Sequence, residues 1–126
     1  MTITTLCLAV AIYYESRNQP TAGQFAVAHV ILNRMASPRY PATACNVIYQ
    51  DGQFSFVLDG SRSTFNDPQA WGKALRIAKA AQLVPDTTRG ATHYHASGSR
   101  GAYWKRHDRL VARIGDHLFY RLRRGE

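Results

Sequence analysis

The sequence predicts an α+β domain, with its helices first and a small antiparallel sheet near the C-terminus. Three observations predict it. Apolar stretches with helix start and stop signals fill residues 5–36. A third start signal, Asp67-Pro68, opens another such stretch. After Pro85 the pattern changes to short β-type runs separated by Gly, Ser and Asp.

Thr5 is a candidate N-cap for a first helix that ends near Asn18, with Pro20 as its stop. Thr21-Ala22-Gly23-Gln24 has the form of a capping box, in which a threonine and a glutamine three residues on satisfy each other's backbone donors. It opens a second helix that runs to about Ala36. Phe25, Val27, Ala28, Val30, Ile31, Leu32 and Met35 make this helix apolar nearly all round, so it belongs at the centre of a core. Ser37-Pro38 ends it. Residues 39–66 are rich in Pro, Gly, Asp and Ser and read as loops, with one short turn of helix around Val47–Tyr49; a long irregular stretch is often functional. Asp67 caps a third helix with Pro68 at its first position. That helix carries Trp71, Ala74, Leu75, Ala78 and Leu83. Residues 91–96, 111–114 and 117–120 read as strands, the last two around the turn Gly115-Asp116.

We expect the 126 residues to form one domain with a single core and no separate binding domain. An apolar fraction of 45% excludes a disordered chain. The net charge of +8, crowded into Arg100, Lys105, Arg106, Arg109, Arg113, Arg121, Arg123 and Arg124, suits a polyanionic partner such as an anionic cell-envelope surface. A solvated basic face is the plainer reading of the same residues. A basic nucleic-acid-binding domain is the competing class, but no helix-turn-helix or zinc-ligand spacing supports specific nucleic-acid recognition. Cys7 and Cys45 lie in apolar settings and read as two buried free thiols; a disulfide stays open, since it needs a Cα proximity that a sequence does not show. The N-terminus lacks the positive region of a signal peptide. The apolar run from Leu6 to Tyr14 falls far short of the roughly 20 residues that span a bilayer. These features lead us to expect a chain made and folded in a cytoplasm, as a monomer.

Glu15 carries the most chemistry. Apart from the final residue Glu126 it is the sole glutamate, and it lies at the end of an apolar helix. Burial disfavours a charged carboxylate, and the negative end of a helix dipole does the same. Both are expected to raise its pKa toward the range a glycosidase general acid requires. A local salt bridge at a frayed helix end is the plainer alternative. Elsewhere, alternation sends Gln53 and Ser55 to one side of Gly52-Gln53-Phe54-Ser55-Phe56, where they suit sugar amides and hydroxyls. Tyr94 and His95 suit a cleft wall, and Trp104 suits stacking on a sugar face. His93 and His95 alternate like metal ligands, but the His-Glu-x-x-His spacing is absent, so no metal or other cofactor is expected. His29 reads as a satisfied core histidine.

Taken in order, these residues resemble the SleB-type cell wall hydrolases, which include spore-cortex-lytic enzymes and some phage endolysins. The matching segments include Ala11-Ile12-Tyr13-Tyr14-Glu15-Ser16-Arg17, Gly23 through Arg34, Cys45-Asn46-Val47-Ile48-Tyr49-Gln50 and Gln53-Phe54-Ser55-Phe56. Ala91-Thr92-His93-Tyr94-His95-Ala96, Trp104 and Ile114-Gly115-Asp116-His117-Leu118-Phe119-Tyr120 complete the set. The chain departs from the pattern at Ser16, where many members carry alanine, and in Ser97-Gly98-Ser99-Arg100-Gly101, where members often have a proline before the tryptophan. The resemblance implies a lysozyme-like fold. It also implies cleavage of the β-1,4 bond between N-acetylmuramic acid and N-acetylglucosamine in peptidoglycan, in a phage endolysin or a bacterial wall enzyme acting in the periplasm or outside the cell. It places Glu15 on the catalytic glutamate of a lytic transglycosylase. Such an enzyme manages with one carboxyl, whereas an ordinary glycosidase needs two. Asp51 or Asp59 would supply the second group in the hydrolytic alternative.

Overall fold

The structure is a computed structural model that describes residues 1–50, 66–98 and 109–121. Among the described residues four helices come first, α1 (Ile3–Ser16), α2 (Thr21–Met35), α3 (Ala44–Gln50) and α4 (Pro68–Ala81). Three strands follow, β1 (His93–Ala96), β2 (Arg109–Ile114) and β3 (His117–Arg121). The expected order of helices then sheet is therefore observed.

Helix α1 begins earlier than Thr5. Thr2 is the N-cap, and its hydroxyl oxygen accepts the Thr5 N–H at 3.1 Å. The earlier start lets Thr5 be buried, where its hydroxyl oxygen accepts the Gln82 side-chain amide at 2.8 Å. The expected capping box on α2 does not form. Pro20 is the N-cap, and its carbonyl accepts the N–H groups of Gly23 and Gln24. Proline has no N–H for a glutamine to cap, so the Gln24 amide donates to the Gln19 carbonyl instead, at 3.2 Å. The α4 start is as expected: the Asp67 carboxylate accepts the Ala70 N–H at 3.0 Å, and Pro68 occupies the first turn. Leu83 lies past the end of α4 and is 80% exposed, so it does not belong to the buried face of that helix.

Leu8, Ala9, Ile12 and Tyr13 of α1 are fully buried, and α1 packs against α2, α3 and α4. Helix α2 is the partition of the molecule. Its Ala28 and Ile31 join the helical core, while Ala26 and Val30 join a second cluster with Ala91 and Phe119 beneath the sheet. Such two-sided burial is why its sequence is apolar nearly all round.

The free-thiol reading is corrected. Cys7 and Cys45 form a disulfide with Cα atoms 5.2 Å apart, closing a separation of 38 residues. The packing of α1 on α3 brings the two residues together, a tertiary proximity that no local pattern records. Among the described residues, no helix is long and apolar enough to cross a membrane.

The sheet is antiparallel, in the order β1-β3-β2. Tyr94 pairs with Phe119 and Ala96 with His117, while a register shift between Leu110 and Ala112 bends β2. Gly115 turns the β2–β3 hairpin with φ +57°, and a Cβ there would sit 2.5 Å from Gln19 Oε1. That oxygen accepts the Asp116 N–H at 3.0 Å, and the Asp116 carbonyl accepts the Ser97 N–H at 2.7 Å. The hairpin tip is thus pinned between the α1–α2 connection and the end of β1.

Candidate active site between helices and sheet

A cavity of about 400 Å³ opens between the helical half and the sheet. Helix α1 contributes Ala11 and, from its last turn, the half-buried Glu15. Helix α2 contributes Val30, Ile31 and Arg34, and α3 contributes Ile48. On the opposite side stand Tyr94, His95 and Ala96 of β1 and His117 of β3. Glu15 therefore faces a mixed lining, aliphatic from Ala11, Val30, Ile31 and Ile48 and polar from Arg34, Tyr94, His95 and His117. It is the one carboxylate among the described residues of that lining.

The helical wall is fixed by burial. Beside Glu15, Ser16 is 2% exposed, and its hydroxyl donates to the Ile12 carbonyl at 2.9 Å. The serine that departs from the family pattern is thus absorbed by its own helix. The neighbouring Tyr13 ring meets Trp71 edge-on at 5.9 Å, and the Arg17 guanidinium lies 4.7 Å above it. The Tyr13 hydroxyl accepts the Asp67 N–H at 3.1 Å, which ties the end of α1 to the start of α4.

Hydrogen bonds from α2 fix the sheet wall. The Asn33 amide donates to the Ala91 carbonyl at 2.9 Å and to the Asp86 carboxylate at 3.1 Å. Arg34 Nε donates to the Thr92 carbonyl at 2.7 Å. Asp86 accepts the N–H groups of Thr88 (2.8 Å) and Gly90 (2.6 Å) and the Thr88 hydroxyl (2.7 Å). Burial alone would raise the Asp86 pKa, but the bonds from Thr88, Gly90 and Asn33 outweigh it and hold the carboxyl below its ordinary value. The result is a closed turn that delivers the chain into β1 at the cavity.

His29 is a satisfied core histidine. Its Nδ1 accepts the Thr87 N–H at 3.1 Å, which leaves Nε2 to donate to the Ala81 carbonyl at 3.1 Å. His93 and His95 share one face of β1, and Tyr94 takes the other. His93 Nε2 bonds the Tyr40 hydroxyl at 3.2 Å, whereas His95 Nε2 bonds the Tyr120 hydroxyl at 3.0 Å and its ring stacks on Tyr120 at 5.4 Å. Tyr94 stacks on Phe119 at 5.5 Å. As an edge strand, β1 presents both Tyr94 and His95 to the cavity. Among the described residues, no cluster of three or more His, Cys, Asp or Glu could hold a metal ion.

Of the residues expected at the site, Glu15, Tyr94 and His95 meet at the cavity. Gln53, Ser55, Trp104, Asp51 and Asp59 lie outside the described residues. Arg34 and His117 also line the cavity without having been singled out in the sequence. Each falls in a segment that carries the family resemblance, and that was the available signal. Arg34 falls inside the second expected helix, which runs to about Ala36, and His117 begins an expected strand.

A family model described as Cell Wall Hydrolase matches residues 18–120, a stretch that begins just after the helix carrying Glu15. The spore cortex-lytic enzyme of Halalkalibacterium halodurans is 37% identical over 112 residues, covering 89% of this chain and 33% of that protein. The spore cortex-lytic enzyme of Bacillus cereus is 34% identical over 116 residues, covering 89% of this chain and 42% of that protein. The chain thus spans well under half the length of these curated relatives. Among solved structures, the catalytic domain of the Bacillus cereus SleB protein superposes with a TM-score of 0.76 at 33% identity, covering 95% of this chain and 91% of that one. The catalytic domain of the germination-specific lytic transglycosylase SleB from Bacillus anthracis gives a TM-score of 0.76 at 32% identity, covering 96% and 97%. The α+β fold is accordingly the lysozyme-like one, and with a matching family model, relatives above 30% identity and this shared architecture, the chain belongs to the cell wall hydrolase family.

Proposed function

We propose that this chain cleaves the glycan strands of peptidoglycan as a lytic transglycosylase, at the β-1,4 bond between N-acetylmuramic acid and N-acetylglucosamine. One observation carries the reading: Glu15 stands as the sole described carboxylate lining a cavity between helices and sheet. Glu15 gives its proton to the glycosidic oxygen as the bond to the anomeric carbon breaks. The resulting carboxylate then takes the proton of the sugar's own 6-hydroxyl while that oxygen closes on the anomeric carbon. The products are a 1,6-anhydro end and a new free hydroxyl on the leaving sugar. No water is consumed, and Glu15 returns to its starting state.

Tyr94 and His95 form the opposite wall of the glycan groove, and Gln53, Ser55 and Trp104 complete the contacts in this reading. The site of action is the cell wall, in keeping with the cortex-lytic activity of the relatives. The Cys7–Cys45 disulfide supports work outside a reducing cytoplasm, because such bonds persist in oxidising compartments. Mass spectrometry of digested peptidoglycan tests the reaction. Anhydro-muramic ends support transglycosylation, whereas reducing muramic ends would show hydrolysis and bring in a second carboxylate.

A further inference from the structure

His117 lines the cavity, and its Nδ1 is buried without a hydrogen-bond partner among the described residues. The residue as a whole is 8% exposed. Leaving a buried polar atom without a hydrogen bond is destabilising. Native folds rarely keep such an atom without a use. The surroundings are specific. The Tyr94 ring meets the imidazole edge-on at 5.0 Å, and Phe119 backs it at 6.1 Å. The pinned hairpin tip at Gly115-Asp116 fixes where the ring begins. The other histidines of the sheet, His93 and His95, are bonded to tyrosine hydroxyls, so the vacancy is particular to His117.

We propose that His117 is a substrate-binding residue whose Nδ1 hydrogen-bonds an acetamido group of the glycan beside Glu15. An acetamido group offers both an N–H and a carbonyl, so it satisfies Nδ1 in either imidazole tautomer. Its methyl also needs an apolar seat, which Val30, Ile31 and Ala96 of the same cavity supply. Burial pushes the imidazole below the ordinary histidine value, against the pull of Asp116, and nearby His95 lowers it further. The ring is therefore neutral near pH 7 and can accept or donate without carrying a charge into the groove. This assignment rests on the proposed glycan-cleaving activity and names one of its recognition contacts.

The test uses three proteins, the unaltered chain, His117→Leu and His117→Asn; asparagine places an amide near the position of Nδ1. The unaltered chain and both variants are assayed on purified peptidoglycan, and their melting temperatures are measured. A Glu15→Gln background, which does not cleave, is titrated with an N-acetylglucosamine tetramer and with its de-N-acetylated counterpart while the imidazole ¹⁵N shifts are followed. The expected result is that the acetylated tetramer alone moves the His117 Nδ1 signal. In that background His117→Leu weakens its binding about 5- to 30-fold. In the cleaving protein KM rises more than kcat falls, asparagine recovers part of the loss, and the melting temperature of the leucine variant holds or increases. A leucine variant that melts lower with unchanged KM and unchanged tetramer affinity overturns the assignment and makes His117 structural. Failure of the unaltered chain to release glycan fragments overturns the activity itself, whereas cleavage with equal response to both tetramers overturns the His117 contact alone.

Discussion

On the helical side of the cavity, Glu15 stands on a helix whose Leu8, Ala9, Ile12 and Tyr13 are wholly buried. On the sheet side, Tyr94, His95 and His117 stand on short strands positioned by a turn that Asn33, Arg34 and Asp86 hold with polar bonds. One wall is placed by packing, the other by directed hydrogen bonds. Packing is non-directional and cooperative, so it holds a reactive group rigidly but tolerates little change in volume. Hydrogen bonds fix direction at single points, so each can be lost alone with a local effect. The acid proposed as catalytic sits on the wall set by packing, and the polar groups that face it sit on the wall held by single bonds.

Four variants sharpen or break this contrast. Glu15→Gln should cut fragment release from peptidoglycan by about 100- to 10,000-fold, with the unfolding free energy changed by no more than about 0.5 kcal/mol. A variant that still cleaves would move the reaction off the helical wall. Replacing both Cys7 and Cys45 by serine should lower stability by about 2–5 kcal/mol in urea unfolding, since the bond closes 38 residues between α1 and α3. The loss should fall on the helical half first, visible as faster amide exchange in α3.

Asp86→Asn should cost about 1–2 kcal/mol, because the carboxylate is partly exposed and its bonds are partly screened. This loss depends on pH. The folded carboxyl holds its proton less tightly than the unfolded one, whose value is near 3.8. The stabilisation is therefore whole above that value and disappears as pH falls through the lower folded value. Urea midpoints of the two proteins should differ at pH 6 and converge in strong acid. Convergence at neutral pH instead would show that the turn is held by something other than charge. Gly115→Ala should destabilise by about 1 kcal/mol, less than the loss of the disulfide, from a positive φ and a clash with Gln19. Its signature would be altered KM with nearly unchanged kcat, because the hairpin tip places the sheet wall and leaves Glu15 alone.

Much of this arrangement is legible in the sequence, and the parts that are not share a cause. Asp67-Pro68, the two-sided apolar pattern of α2 and the Gly115-Asp116 turn are local signals, and each appears where local chemistry puts it. The capping box at Thr21 fails although its spacing is right, because Pro20 takes the cap and a glutamine side chain has a better acceptor in Gln19. The first helix starts at Ile3 because Thr2 takes the cap, while Thr5 is claimed by Gln82, just past the end of α4. The disulfide and the orphan nitrogen of His117 are wholly tertiary facts. Glu15 could be read because a lone acid in an apolar helix is a local anomaly. Arg34 could not, since an arginine at the last turn of a helix is an ordinary way to end one.

The double duty of α2 also bears on how the nascent chain must assemble. Its Asn33 and Arg34 wait for acceptors between residues 86 and 92, and Ala26 and Val30 wait for Phe119. Until the last strand leaves the ribosome, one flank of that helix remains bare and its polar anchors are held by water. Contacts of such sequence range slow closure and leave a sticky intermediate. A truncation that removes the final hairpin should therefore aggregate with its helices already formed, and the acid would be in place long before the groove it serves exists.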